Sequence, residues 1–156
     1  MKIPIVFRKA VKEDLAEIVA LLANDKLGKL REDNRIPLSE KYDAAFARIN
    51  ADENQELMVI ENESKQLIGT LQLSFIPYLT YQGGIRAQIE AVRIHQNFRN
   101  KGLGQQLFEW AIERAKERNA HLLQLTTDKK RPAALRFYET LGFVASHEGM
   151  KLHLKS

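Results

Sequence analysis

The sequence predicts a single α/β domain over residues 1–156, built on a mixed β-sheet with helices against it. Three observations predict it. Short runs of β-branched, leucine and aromatic residues alternate with stretches at helical period along the whole chain. One such run leads through a glycine-bearing turn straight into a strongly amphipathic helix. The length, 156 residues, suits one hydrophobic core and shows no repeat, low-complexity tract or linker.

The elements follow in order. Ile3–Arg8 reads as a short opening strand. Leu15, Ile18, Val19 and Leu22 fall at i, i+3, i+4 and i+7, one face of a helix. Residues 24–38 are polar and irregular and end near Pro37. Ser39 is placed to cap a second helix through about Ile49, with Tyr42, Ala45, Phe46 and Ile49 on its apolar side. Leu57–Glu61 and Leu67–Phe75 are strands about a turn at Asn62–Gln66. Pro77 to Gly84 closes a hairpin onto a strand at Ile85–His95. After Gly102, residues Leu103, Leu107, Phe108, Ala111, Ile112 and Ala115 recur at a spacing of about 3.6, and Asn119 is a helix stop. Leu122–Thr126 is a short buried strand. Pro132 suits the first turn of a last helix ending at Gly142. Phe143–Glu148 and Met150–Leu154 read as a closing hairpin around Gly149.

Composition narrows the function. Hydrophobic residues make up 44% and charged residues 28%, as in a folded globular chain. The chain has no cysteine, which excludes a disulfide framework, thiolate catalysis and Cys-ligated zinc, and fits a reducing compartment. His95, His121, His147 and His153 have no metal-ligand spacing on a helix, so no metal is expected. No apolar run approaches the roughly 18 residues of a membrane span. The first eight residues are too soon charged for a signal peptide, so a cytoplasmic protein is expected. The formal charge of +4 is uneven. Residues 85–156 hold 13 Lys and Arg against 7 Asp and Glu, so an anionic partner belongs to this half. Neither a helix-turn-helix nor an aromatic platform is visible, so nucleic acid is not expected to be that partner.

The chemistry lies in Val92-Arg93-Ile94-His95-Gln96-Asn97-Phe98-Arg99-Asn100-Lys101-Gly102-Leu103-Gly104. A helix N-terminus carries unpaired N–H groups and the positive end of the dipole, and so binds phosphate. Gly102 and Gly104 leave the backbone approachable, with Arg99 and Lys101 at the rim. The physical reading is a phosphate or pyrophosphate cradle, and a merely tight strand-to-helix turn is the other. A P-loop is excluded, since Gly104 is followed by Gln105-Gln106. The three-glycine dinucleotide fingerprint is excluded too.

The stretch Arg99-Asn100-Lys101-Gly102-Leu103-Gly104 resembles the Gln/Arg-x-x-Gly-x-Gly/Ala pyrophosphate loop of the GNAT (N-acetyltransferase) superfamily, and Val92-Arg93-Ile94-His95 resembles its cofactor strand. Ala134–Phe143, with Tyr138-Glu139-Thr140-Leu141-Gly142-Phe143 at its end, is similar to the late helix of that family. Gln96 and Asn100 stand where many members have proline and glycine. Arg131 stands where many have an asparagine that touches the cofactor.

The resemblance implies a mostly antiparallel twisted sheet, splayed between the strand at 85–95 and the strand at 122–126, with acetyl-CoA in the V. It implies that Arg99, Asn100, Lys101, Gly102, Leu103, Gly104 and Gln105 hold the pyrophosphate. Val92, Arg93 and Ile94 would pair with the pantetheine arm, and an N–H near Ile94 would polarise the thioester carbonyl. A primary amine would attack directly, without a covalent enzyme intermediate. Tyr138 matches the general acid that protonates the departing thiolate, and Glu90 is the candidate base for the amine. Tyr78 and Tyr81 flank the expected acceptor entrance. Members of the superfamily are often homodimers. A CoA-binding regulatory module without turnover is the alternative, against which Tyr138 and Glu90 both speak.

Overall fold

A computed structural model describes residues 2–155. Five strands form one sheet in the order β1-β2-β3-β4-β5: Ile5–Lys9, Gln55–Asn62, Leu67–Pro77, Ile85–Ile94 and Leu122–Gln124. Neighbours run antiparallel except β4 and β5, which are parallel. The helices are α1 (Leu15–Ala23), a single turn α2 (Gly28–Arg31), α3 (Glu40–Ala51), a single turn α4 (Thr80–Gly83), α5 (Leu103–Glu117) and α6 (Pro132–Thr140). This is the mixed, mostly antiparallel α/β fold expected. Among the described residues no helix is long and apolar enough to cross a membrane, and no three His, Asp or Glu side chains gather to hold a metal ion.

Local chemistry explains the boundaries. The Ser39 Oγ accepts from the Lys41 N–H and caps α3. Asn119, at φ 59°, ends α5 in a Schellman turn: its N–H reaches the Lys116 carbonyl and the Ala120 N–H reaches that of Ala115. Gly142 ends α6 in the same way, with the Phe143 N–H on the Tyr138 carbonyl. Pro132 takes the first turn of α6, where its missing N–H costs nothing.

Strand alternation sorts the core into two layers. Leu71, Leu73, Phe75, Ala87 and Ile89 pack against Leu103, Leu107, Phe108, Ala111 and Ala115 of α5. On the opposite face Val59 and Leu67 meet Ala10, Ile18 and Leu21. Glu56 is buried under α5, where Arg114 Nε and Nη2 hold its two oxygens at 2.8 Å each and Arg118 Nη1 adds a bond of 2.7 Å.

The closing hairpin expected at Phe143–Glu148 and Met150–Leu154 does not form; that part of the chain has no strand. Its apolar members, Val144, Met150, Leu152 and Leu154, are all more than three-quarters exposed. Alternation makes a strand only where a sheet edge and a covering layer accept it; Phe143 still packs against Phe108 and Tyr138, but beyond it the described residues give these apolar side chains no cover. Likewise β5 ends at Gln124 rather than Thr126. Residues 24–38, read as irregular, contain the turn α2.

Candidate active site

The site is made by a strand that bends away from its neighbour. β4 pairs with β5 only over Arg86–Gln88. Its register on β3 then slips by one residue between Glu90 and Arg93, and Ala91 takes up the extra residue at φ 53°. Beyond the bulge, β4 keeps β3 on one side and has no strand on the other. β4 and β5 therefore part beyond Gln88, as the resemblance implies. Beside β4 lies a cleft of about 640 Å³ lined by Val92, Arg93, Ile94 and Arg99 on one side, Asp25, Lys26 and Leu27 beyond the end of α1, and Lys130 and Arg131 before α6.

The free edge of β4 is selectively dressed. The His95 N–H is spent on the Ile68 carbonyl at 2.8 Å, so strand alternation turns the backbone of Val92 and Ile94 toward the cleft. Both of these carbonyls are taken by arginine: Arg93 Nη1 donates to Val92 at 2.9 Å, and Arg99 Nε to Ile94 at 3.0 Å. The donors of this edge stay open while its acceptors are filled.

The loop into α5 continues the pattern. The His95 ring Nδ1 accepts from the Asn97 N–H and shapes a 3-10 turn over Gln96–Phe98, which gives this histidine a structural task. Asn100 (φ 59°) and Gly102 (φ 77°) are both left-handed and flank Lys101. Gly102 caps α5 without any side-chain hydrogen bond to the first-turn N–H groups, and that turn carries no acidic residue. A Cβ at Gly102 would meet no atom within 4 Å, so the space above it is open. A Cβ at Gly104 would lie 3.6 Å from both Ile94 Cδ1 and Phe137 Cζ. Gly104 therefore seats the helix on β4 and α6, and Gly102 faces open space. Gln105 donates to Glu109 at 3.0 Å along the helix, so only its backbone is turned to the loop. Arg99 also reaches the Asn24 carbonyl at 3.2 Å and ties the loop to the end of α1.

Charge around the cleft is organised by Asp25. Its Oδ2 lies 3.0 Å from Arg93 Nε and 3.6 Å from Arg131 Nη2. Burial pushes its carboxyl up, but the Gly28 N–H and the two arginines outweigh burial and hold it below the ordinary carboxylate range. Gly28 is obligatory in this wall, because a Cβ there would collide with the Leu22 carbonyl oxygen. The sequence reading missed Asp25, and the run Asn24–Lys26 carries no period that would have singled it out.

Tyr138 is half-buried and packs edge-on against Phe108 at 5.3 Å and Phe143 at 6.1 Å. Its hydroxyl makes no hydrogen bond among the described residues. Burial pushes the phenol pKa up, and the charges of Arg131 and Arg93 only partly oppose it. Both arginines line the cleft, so the hydroxyl feels the same field. Glu90 is set apart. It is exposed, accepts a hydrogen bond from Gln88, and lies opposite Gln72 on the sheet face away from α5. No contact joins Glu90 to Tyr138. Tyr78 and Tyr81 cluster at the β3–β4 connection with His121, to which the Tyr78 hydroxyl is hydrogen-bonded.

A splayed β4 edge beside an uncapped helix N-terminus makes a cleft suited to an extended ligand that carries negative charge. The acetyltransferase (GNAT) family matches residues 24–143, and the chain belongs to that family. A crystal structure described as a transcriptional regulator from Bacillus halodurans C-125 is 54% identical, covers 97% of this chain and 100% of its own, and superposes with a TM-score of 0.92. A putative acetyltransferase from Agrobacterium tumefaciens str. C58 is 27% identical over 95% of this chain and 99% of its own, with a TM-score of 0.82. Aminoalkylphosphonate N-acetyltransferase of Salmonella typhimurium is 32% identical over 82 residues; the match spans 53% of each chain, about half the length of that relative. Family membership and the names of the Agrobacterium and Salmonella relatives support acetyl transfer as the general activity.

Proposed function

We propose that the chain transfers an acetyl group from acetyl-CoA to a primary amine by direct attack. The observation that carries this reading is the donor-only edge of β4 running into the open turn at Gly102. When bound, acetyl-CoA supplies the activated acyl group as a thioester. The N–H groups from Asn100 to Gln105 fit its pyrophosphate, since the first turn of α5 is uncapped and the space above Gly102 is open, while the Arg99 N–H is turned to the Gln96 carbonyl. Lys101, Lys130 and Arg131 add positive charge around it. The Val92 and Ile94 N–H groups fit an extended amide chain laid along the edge as an added strand. At the carbonyl that is attacked, the Ile94 N–H is suited to stabilise developing negative charge.

Two proton movements remain for side chains. Glu90 takes the proton from the incoming ammonium, directly or through water. Tyr138, whose raised pKa keeps it protonated at neutral pH, gives its proton to the thiolate that leaves. The curated relative is named for an acceptor that is itself a small amine, and this supports a small-molecule acceptor here.

The test is release of free CoA thiol from acetyl-CoA with a panel of primary amines, followed by mass detection of the N-acetyl product. Amine-dependent release with a matching product is expected. Acetyl-CoA binding without turnover on any amine would replace this reading by that of a binding module.

A further inference from the structure

Among the described residues, Arg8, Arg93, Arg114 and Arg118 each hold a carboxylate, and of the arginines that form no ion pair Arg86 is the one whose Nε is buried without a partner. Arg86 is only half-exposed. Its Nε is shut off from solvent and has no hydrogen-bond partner. The guanidinium lies 4.8 Å over the Tyr78 ring, and Nη1 makes one long bond of 3.3 Å to Gln124 Oε1. A half-buried guanidinium held on an aromatic face and a neutral amide, with one donor orphaned, is preorganised for an anion that the described residues do not supply.

Its setting points to the acceptor side of the active site. Arg86, Gln88 and Glu90 alternate on the face of β4 away from α5, upstream of the bulge at Ala91. Hydrogen bonds join them into one row: Gln124 Nε2 donates to Gln88 Oε1 at 2.7 Å, and Gln88 donates to Glu90. On β3 the parallel row of Gln72 and Ser74 is tied to Gln55 Oε1 at 2.9 and 2.7 Å. This part of the face thus carries amides and a hydroxyl, with a carboxylate at one end and, beside Ile76, an unpaired guanidinium at the other. The four residue steps from Arg86 to Glu90 span about 13 Å of strand.

We propose that Arg86 binds an acidic group of the acceptor, a carboxylate or phosphate, while Glu90 meets its amine. The acceptor is then an amino acid-like zwitterion with several bonds between nitrogen and acid, rather than a polyamine. This rests on the acetyltransferase reading above. Only the acceptor's placement is added; the bond changes are those of acetyl transfer from sulfur to nitrogen.

Matched acceptors test it: 4-aminobutyrate and 6-aminohexanoate against their amides, glycylglycine against its amide, and phosphoethanolamine as the phosphate source. The wild-type chain is expected to favour the acids over their amides by about tenfold or more in kcat/KM, as a charged hydrogen bond implies. In Arg86→Gln that preference should collapse through KM, and Arg86→Lys should restore part of it. Retention of the acetyl-CoA thermal shift by both variants shows that they are folded. Equal use of acids and amides by the wild type, or an undiminished preference in Arg86→Gln, overturns the proposal. Turnover on carboxylates alone or on phosphoethanolamine alone identifies the source of the anion. No turnover on any amine removes the acetyltransferase reading, and this proposal with it.

Discussion

Replacing Gly102 by glutamine separates the ligand-binding role of the turn from its structural one. Gly102 sits at φ 77° and ψ 4°, where a side chain costs about 1–2 kcal/mol. No atom lies within 4 Å of the new Cβ, so no clash adds to that cost. The melting temperature should therefore fall by about 2–8 °C for a domain of this size. The new side chain fills the space over the uncapped first turn of α5. Losing one or two hydrogen bonds from N–H to a charged oxygen removes about 2–4 kcal/mol of binding. That is a loss in acetyl-CoA affinity of about 30- to 1000-fold. Gly104→Ala is the contrast, because its Cβ would find ordinary contact at 3.6 Å with Ile94 and Phe137 and should leave binding in place. Calorimetric titration with acetyl-CoA, beside thermal unfolding without ligand, reads both quantities. Unchanged affinity in folded Gly102→Gln would refute the cradle.

Other residues give separable effects. Tyr138→Phe should lower kcat by about 100-fold or more while acetyl-CoA affinity changes little. Because burial raises the Tyr138 pKa, the wild-type rate should lose this acid only above pH 10, and an unaltered kcat in the variant ends the role. Glu90→Gln should flatten the acidic limb of the kcat/KM profile, and a limb of unchanged shape assigns the base elsewhere. Glu56→Gln should destabilise the fold by about 3 kcal/mol, since it uncouples Arg114 and Arg118 from their shared carboxylate. Burial pushes the Glu56 carboxyl up, but Arg114 and Arg118 bring its folded pKa below the unfolded value. Its contribution is therefore present above about pH 4.3 and is lost as pH falls through the lower folded value. Chemical denaturation across that range should show the loss in the wild type, and the same slope in Glu56→Gln would contradict it.

What the sequence made legible was whatever local chemistry encodes. Ser39, Asn119, Pro132 and Gly142 announce helix ends because caps and Schellman turns depend on a few adjacent residues. The turn from Ile94 to Gly102 is equally local, and it joins the cleft strand to the first turn of α5, whose Leu103 is buried in the core. The wall at Asp25 was hidden because its partners, Arg93 and Arg131, are distant in the chain and meet it only through the fold. The row of Arg86, Gln88 and Glu90 was visible as period-two polarity, but its meaning depends on Gln124 arriving from the parallel strand. The closing hairpin failed for the opposite reason: Met150, Leu152 and Leu154 alternate as a strand should, yet no layer among the described residues covers them.

The central claim is that the V beside β4 is an acetyl-CoA site, and thermal unfolding with and without acetyl-CoA tests it most directly. A ligand that binds only the folded state at a hundredfold excess over its dissociation constant adds about 2.7 kcal/mol. For a chain of this length that predicts a rise of about 5–10 °C. No rise at millimolar acetyl-CoA would mean that the glycine turn serves the fold alone.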